Sequence, residues 1–282
     1  MSKEISFRIL KDIAHDLSGS EISFPTFLDV TFQIRGALKN PNLTVDQLSV
    51  LVGAEPLMST KVIRLANSAA LNATGRTIAD VKSAITRVGM EAVRTISFSV
   101  AMEQLLGSKK MAPFEWISQL LWEHTIHVAA LCRVLARKVG RINPDEAMFA
   151  GLVHDIGVFY LLSRATNFPE LIEDKVELYE LLVDWHDNIG HALLAAMGLG
   201  DDLLGAVLEH EIERPVASIK TLADLLFVAN KLANVQTTWR NPDSDKDDKL
   251  DVLAGLFNAE AIKALLAESE EDVVSLKAAL AG

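Results

Sequence analysis

An ionisable pair set inside hydrocarbon constrains this chain more than any other feature. In the run Met148-Phe149-Ala150-Gly151-Leu152-Val153-His154-Asp155-Ile156-Gly157-Val158-Phe159, only the central histidine and aspartate are polar. On a helix, Met148, Leu152 and Phe159 share the side of Asp155, while Ala147, Gly151 and Val158 share that of His154. Both side chains are therefore expected to be buried. A desolvated carboxylate is costly unless a cation or several donors meet it, so Asp155 requires a metal, a charged histidine or an arginine from elsewhere in the chain.

The histidines supply candidates. His15 stands alone, and the other six, His124, His127, His154, His186, His191 and His210, lie between positions 124 and 210. Pro113 suits the first turn of a long helix whose stripe Ile117, Leu120, Leu121, His124, Val128, Leu131, Leu135 turns His124 inward. Asn143-Pro144-Asp145-Glu146 combines a cap, a first-turn proline and two acids at the positive end of the dipole, and launches the helix bearing His154-Asp155. A single inward histidine is ordinarily a satisfied core residue. Two of them beside an inward aspartate on successive helices point to a shared site. Asp187 and His191, four residues apart, are expected to pair on a solvated face.

The rest of the chain carries helical period and punctuation, with little strand-like alternation. Ile5, Ile9, Ile13 and Leu17 form a stripe, and Pro25 opens a segment through Phe27, Val30, Ile34 and Leu38. Thr44-Val45-Asp46-Gln47 forms a capping box, Glu55-Pro56 starts a further helix, and Met90 to Leu106 is apolar at helical steps. Asn241 to Asp248 is a polar connector, and Leu253 to Leu276 supplies two more helices. The expectation is an all-α fold, with a helical part over 1–110, a helical core over 111–235, and an acidic loop with terminal helices over 236–282. On pattern alone, a helical bundle without chemistry accounts for this layout.

Composition limits what such a site can serve. With 27 Lys and Arg against 38 Asp and Glu, the net charge is −11, and no basic run exists to track phosphates, which opposes general nucleic-acid binding. Small phosphorylated ligands stay compatible with a locally positive site. The lone cysteine, Cys132, excludes an intramolecular disulfide and a Cys-based zinc cluster, and reads as an inert buried thiol. Neither a charged-then-apolar leader nor an unbroken apolar run of about 18 residues is present, so the reading is a cytoplasmic chain with no membrane contact. Apolar helices at both ends are compatible with a homodimer.

These residues also carry a family resemblance. Trp122-x-His124 followed by Ala150 to Gly157 resembles the HD superfamily of metal-dependent phosphohydrolases. Asn40-Pro41, Leu48 to Val52, Glu55 to Ala69 with its Asn67-Ser68-Ala69, Ala84 to Gly89 and Val93-Arg94 resemble the HDOD domain, a bacterial signalling branch of that superfamily, from about residue 20 to about 235. The resemblance implies a multi-helical HD-like bundle with an N-terminal helical subdomain. For most members it implies a regulatory output rather than a demonstrated enzyme.

It also implies a ligand set. His124, His154 and Asp155 match three of the superfamily's metal ligands, and Asn230 stands where the fourth, a distant aspartate, belongs. Losing that charge weakens affinity for a hard divalent cation. His186 and His210 match positions that hold an additional metal in the related HD-GYP phosphodiesterases. Val158, however, replaces that group's lysine, and its Gly-Tyr-Pro is missing. Two functions follow. One is a signalling module with a degenerate metal site that binds a signalling protein or a small phosphorylated ligand. The other is a phosphohydrolase acting on a nucleotide or other phosphoester through Fe, Mn, Mg, Zn or Ni, with Asp155 orienting the nucleophile and a histidine protonating the leaving group.

Overall fold

The computed structural model describes residues 2–18, 29–38, 40–68, 71–72, 75–106, 108–233, 235 and 255–280. In chain order the first helices are α1 (Ser2–Ser18), α2 (Asp29–Leu38), α3 (Val45–Gly53), α4 (Pro56–Ala66), α5 (Val81–Val88) and α6 (Met90–Leu106). A 3-10 turn (Lys109–Phe114) leads to α7 (Glu115–Val139), α8 (Pro144–Val153), α9 (Ile156–Ala165) and α10 (Pro169–Glu173). The last are α11 (Lys175–Ala196), α12 (Asp201–Glu209), α13 (Leu222–Leu232) and α14 (Ala259–Leu280). No strand occurs among the described residues, so the fold is all-α. The chain divides into two compact units, residues 1–23 with 108–270 and residues 24–107 with 271–282.

The unit built mainly from residues 24–107 closes on Ile34, Leu48, Val52, Met58, Val62, Ile85 and Ile96. Its helices begin as the sequence dictates: Thr44 and Gln47 form the expected capping box, and Asp80 caps α5. Asn67 acts as a clasp, donating from Nδ2 to the Ile78 carbonyl (2.7 Å) and accepting from the Ile78 N–H at Oδ1 (2.8 Å). Arg87 donates to the carbonyls of Ala66 and Arg76. Lys61 is 1% exposed and ion-paired to Glu103 at 2.9 Å.

The other unit holds the histidines. α7 crosses α8, α9 lies on α11, and α12 and α13 complete the enclosure. Asn143 accepts from the N–H groups of Asp145 and Glu146 at the start of α8, as the sequence predicts, and Gly140 ends α7 in a left-handed conformation (φ 69°). Two glycines set how closely these helices approach. A Cβ at Gly151 would lie 2.5 Å from the Ala129 Cα, and one at Gly157 would lie 1.9 Å from the His186 carbonyl oxygen. Glycine is therefore required where α8 meets α7 and where α9 meets α11.

The structure corrects several expectations. The run through His154-Asp155 is two helices, not one: α8 stops at Val153, and Asp155 (φ −98°, ψ 19°) starts α9. Neighbours on a continuous helix point about 100° apart, and the break lets both side chains enter one cluster. This stretch, Pro144–Ala165, is apolar and long enough to cross a membrane, but it is interrupted here and buried as core. Pro113 lies in the 3-10 turn before α7 rather than in its first turn. Ala259–Leu280 is one continuous helix, where Asn258 accepts from the Ala261 N–H and neither glycine nor proline interrupts, and the earlier part of the expected tail lies outside the described residues. Pro25, Phe27, Asn241 to Asp248 and Leu253 lie outside the described residues.

Candidate metal centre

Four imidazoles share one construction. His124 Nδ1 donates to the Val235 carbonyl (2.7 Å), His154 to Gly151 (2.7 Å), His186 to Leu182 (2.8 Å) and His210 to Val207 (2.6 Å). A carbonyl can only accept, so Nδ1 carries the hydrogen, and a neutral ring presents a bare Nε2. All four Nε2 atoms converge on Asp155. Its Oδ2 is 3.1 Å from His154 and 3.9 Å from His124, while Oδ1 is 3.4 Å from His210 and 4.0 Å from His186. His124 and His154 Nε2 are 3.3 Å apart. Lone pairs facing one another and a carboxylate at these distances repel unless a cation lies among them.

Two acids join from the histidines' own neighbours. Asp187 Oδ1 is 2.7 Å from His186 Nε2, and Glu211 Oε1 is 3.2 Å from His186 Nε2 and 3.4 Å from His210 Nε2. Asp187 therefore turns to His186 rather than pairing with His191. The donors fall into two sets sharing Asp155: His124, His154 and Asp155, and Asp155, His186, His210 and Glu211, each with ligand atoms within 4.8 Å of one another. Bonds of about 2.1 Å to a tetrahedral cation place ligands about 3.4 Å apart. The pairs above that are 3.1 to 3.4 Å apart lie close to that edge length.

The electrostatics agree. Where a proton on Nε2 takes the place of a cation, burial still opposes ionisation of Asp155, but protonated His154 and then His210 outweigh it and hold the carboxyl well below its usual range. Burial likewise opposes ionisation of Asp187, and His186, then His210, bring its carboxyl below the ordinary value. Asp155 Oδ1 and His210 Nε2 face each other without a hydrogen bond of acceptable geometry, on side chains 2% and 0% exposed. The donor set and these two buried, unsatisfied atoms fit a divalent cation.

Asn230 is buried on α13, which packs on α7 and α8. Sequence reasoning missed Asp187 and Glu211. The signal was present as a repeated doublet, since His154-Asp155, His186-Asp187 and His210-Glu211 each place an acid directly after an inward histidine. Arg133 lies 3.8 Å from Asp145 and Lys138 2.7 Å from Glu268, and Cys132 is buried, with its thiol pushed up by desolvation.

Fold and cluster define a class, an all-helical bundle with histidines and an aspartate gathered from successive helices around a buried centre. The HDOD domain profile matches residues 24–212, and the chain belongs to that family. It is similar over 97% of its length to 98% of a solved chain from Shewanella amazonensis SB2B, described as a candidate metal-dependent phosphohydrolase (24% identity, TM-score 0.73). It is also similar over 98% of its length to 66% of a candidate signal transduction protein from Marinobacter aquaeolei VT8 (18% identity, TM-score 0.63). An uncharacterized protein of Treponema pallidum (strain Nichols) is 25% identical over 70% of this chain, which spans about 40% of that relative's length.

Proposed function

We propose that this HDOD chain is a regulatory module whose buried centre holds a divalent cation, and that its output is the binding of a signalling partner or a small phosphorylated ligand. The observation that carries this reading is enclosure. His124, His154, Asp155, His186 and His210 are all buried, and the members nearest solvent, Asp187 (25% exposed) and Glu211 (20%), are acids. A phosphoester approaching that edge meets negative charge before it meets any imidazole. Asn230, a neutral side chain at the family's aspartate position, reduces the charge available for Lewis-acid work at His124, His154 and Asp155.

Fe, Mn, Zn, Mg or Ni bound here would supply the charge that Asp155 needs and Lewis acidity toward a nearby oxygen. A second reading, phosphoester hydrolysis, is favoured by the two donor sets meeting at Asp155, which would orient the nucleophile while a histidine not bound to the cation protonates the leaving group. The names of the solved relatives do not choose between these readings. Melting temperature with chelator and with Mn²⁺, alongside a turnover panel of nucleotides and phosphomonoesters, decides the matter. The module reading expects stabilisation by the cation and no turnover. Sustained hydrolysis that disappears in H154A would replace it with the second.

A further inference from the structure

The two donor sets are unequal, and the inequality runs opposite to the order the HD motif suggests. Around His124 and His154 there are three donors, one of them a carboxylate. Around His186 and His210 there are four, because Glu211 Oε1 joins Asp155 Oδ1, and Asp187 lies 2.7 Å from the same His186 nitrogen. With neutral imidazoles the formal charge is −1 at the first set and −2 at the second, or −3 counting Asp187.

Geometry points the same way. Three of the measured pairs in the second set, at 3.2, 3.4 and 3.4 Å, lie close to the edges of a tetrahedral or octahedral shell, and the fourth is 4.0 Å. Asp155 Oδ1 and His210 Nε2, both buried and without a hydrogen bond of acceptable geometry, belong to this set and face each other across 3.4 Å. Asp187 and Glu211, its partly exposed members, also give an arriving cation a path from water.

We propose that the tight cation position is the one bounded by Asp155, His186, His210 and Glu211, and that the position at His124 and His154 is the weak one. This inference rests on the reading that the centre binds a divalent cation at all. Two imidazole nitrogens with two or three carboxylate oxygens form a mixed shell suited to Mn²⁺, Fe²⁺ or Zn²⁺. Asp187 adds charge beside the set, and the Leu182 carbonyl holds the His186 ring through Nδ1, as outer acceptors do at metal-bound histidines. Glu211 thus restores, on the other side of Asp155, the anionic oxygen that Asn230 no longer offers.

The test is Mn²⁺ binding, followed by the electron paramagnetic resonance of free Mn²⁺, to full-length protein stripped with chelator. E211Q, nearly isosteric, is expected to weaken the first equivalent at least tenfold, whereas H124A leaves it within about twofold. Circular dichroism checks that each variant is folded. If H124A does not fold, N230D takes its place and is expected to strengthen the second equivalent while leaving the first unchanged. First-equivalent affinity lost in H124A, or raised tenfold in N230D, with E211Q like the wild type, would overturn the inference while leaving the metal-holding reading intact. No Mn²⁺ bound by the wild type would overturn both.

Discussion

Replacing Gly157 with alanine would drive a methyl group into backbone. The new Cβ would lie 1.9 Å from the His186 carbonyl oxygen and 2.8 Å from the Gly190 nitrogen, where ordinary contact begins at 3.4 Å. Neither atom can swing aside as a side chain does, so α9 and α11 must separate by about 1.5 Å, and we expect a cost of about 3 kcal/mol, the upper end for overpacking a core. The same displacement moves His186 from Asp155, and metal shells tolerate only about 0.2 Å. Mn²⁺ affinity should therefore fall by about ten- to a hundredfold. Denaturant unfolding and Mn²⁺ titration would be run beside G205A, since a Cβ at Gly205 on α12 meets nothing within 4 Å. That control should gain about 0.5 to 1 kcal/mol from helix propensity. A G157A protein within about 0.5 kcal/mol of wild type, with unchanged affinity, would refute the close contact and its role in placing His186.

Other perturbations follow from the same contacts. D155A removes the carboxylate that compensates the clustered imidazoles and should destabilise the chelated protein by about 2 to 5 kcal/mol in urea unfolding; a loss under half a unit would show that the imidazoles do not depend on it. Because the Asp187 carboxyl is lowered by folding, its ionisation stabilises the native state above the unfolded value near 4, and that contribution is lost as pH falls through the folded value. The stability gap between wild type and D187N in chelator should thus be flat between about pH 4.5 and 6 and narrow below about 4. E103A takes away the carboxylate 2.9 Å from buried Lys61 and should cost about 3 kcal/mol, the low end for a broken buried pair because Glu103 keeps contact with water.

Much of this was legible in the sequence because it depends on short-range rules. The caps at Thr44 and Asn143 follow from local hydrogen-bonding chemistry, and the inward turn of His124 follows from a four-residue period along α7. The burial of Asp155 follows from its apolar neighbours. What escaped the pattern is set by chain direction at breaks or by distant contacts. A periodic reading runs straight through His154-Asp155, since the break there lies in the backbone angles of Asp155, which side-chain period does not record. Asp187 and Glu211 look like surface acids beside their own helices, and it is the packing of α12 on α11, with α9 bringing Asp155, that gathers them at the His186 ring. The placement of α1 against α11, with Ser6 bonded to Glu177, has no local signal at all.

Anomalous diffraction from crystals soaked with Mn²⁺ addresses the central claim most directly. The account predicts a peak among Asp155, His186, His210 and Glu211, about 2.2 Å from the Asp155 carboxylate. Strong peaks confined to surface acids, with none beside Asp155, would contradict it.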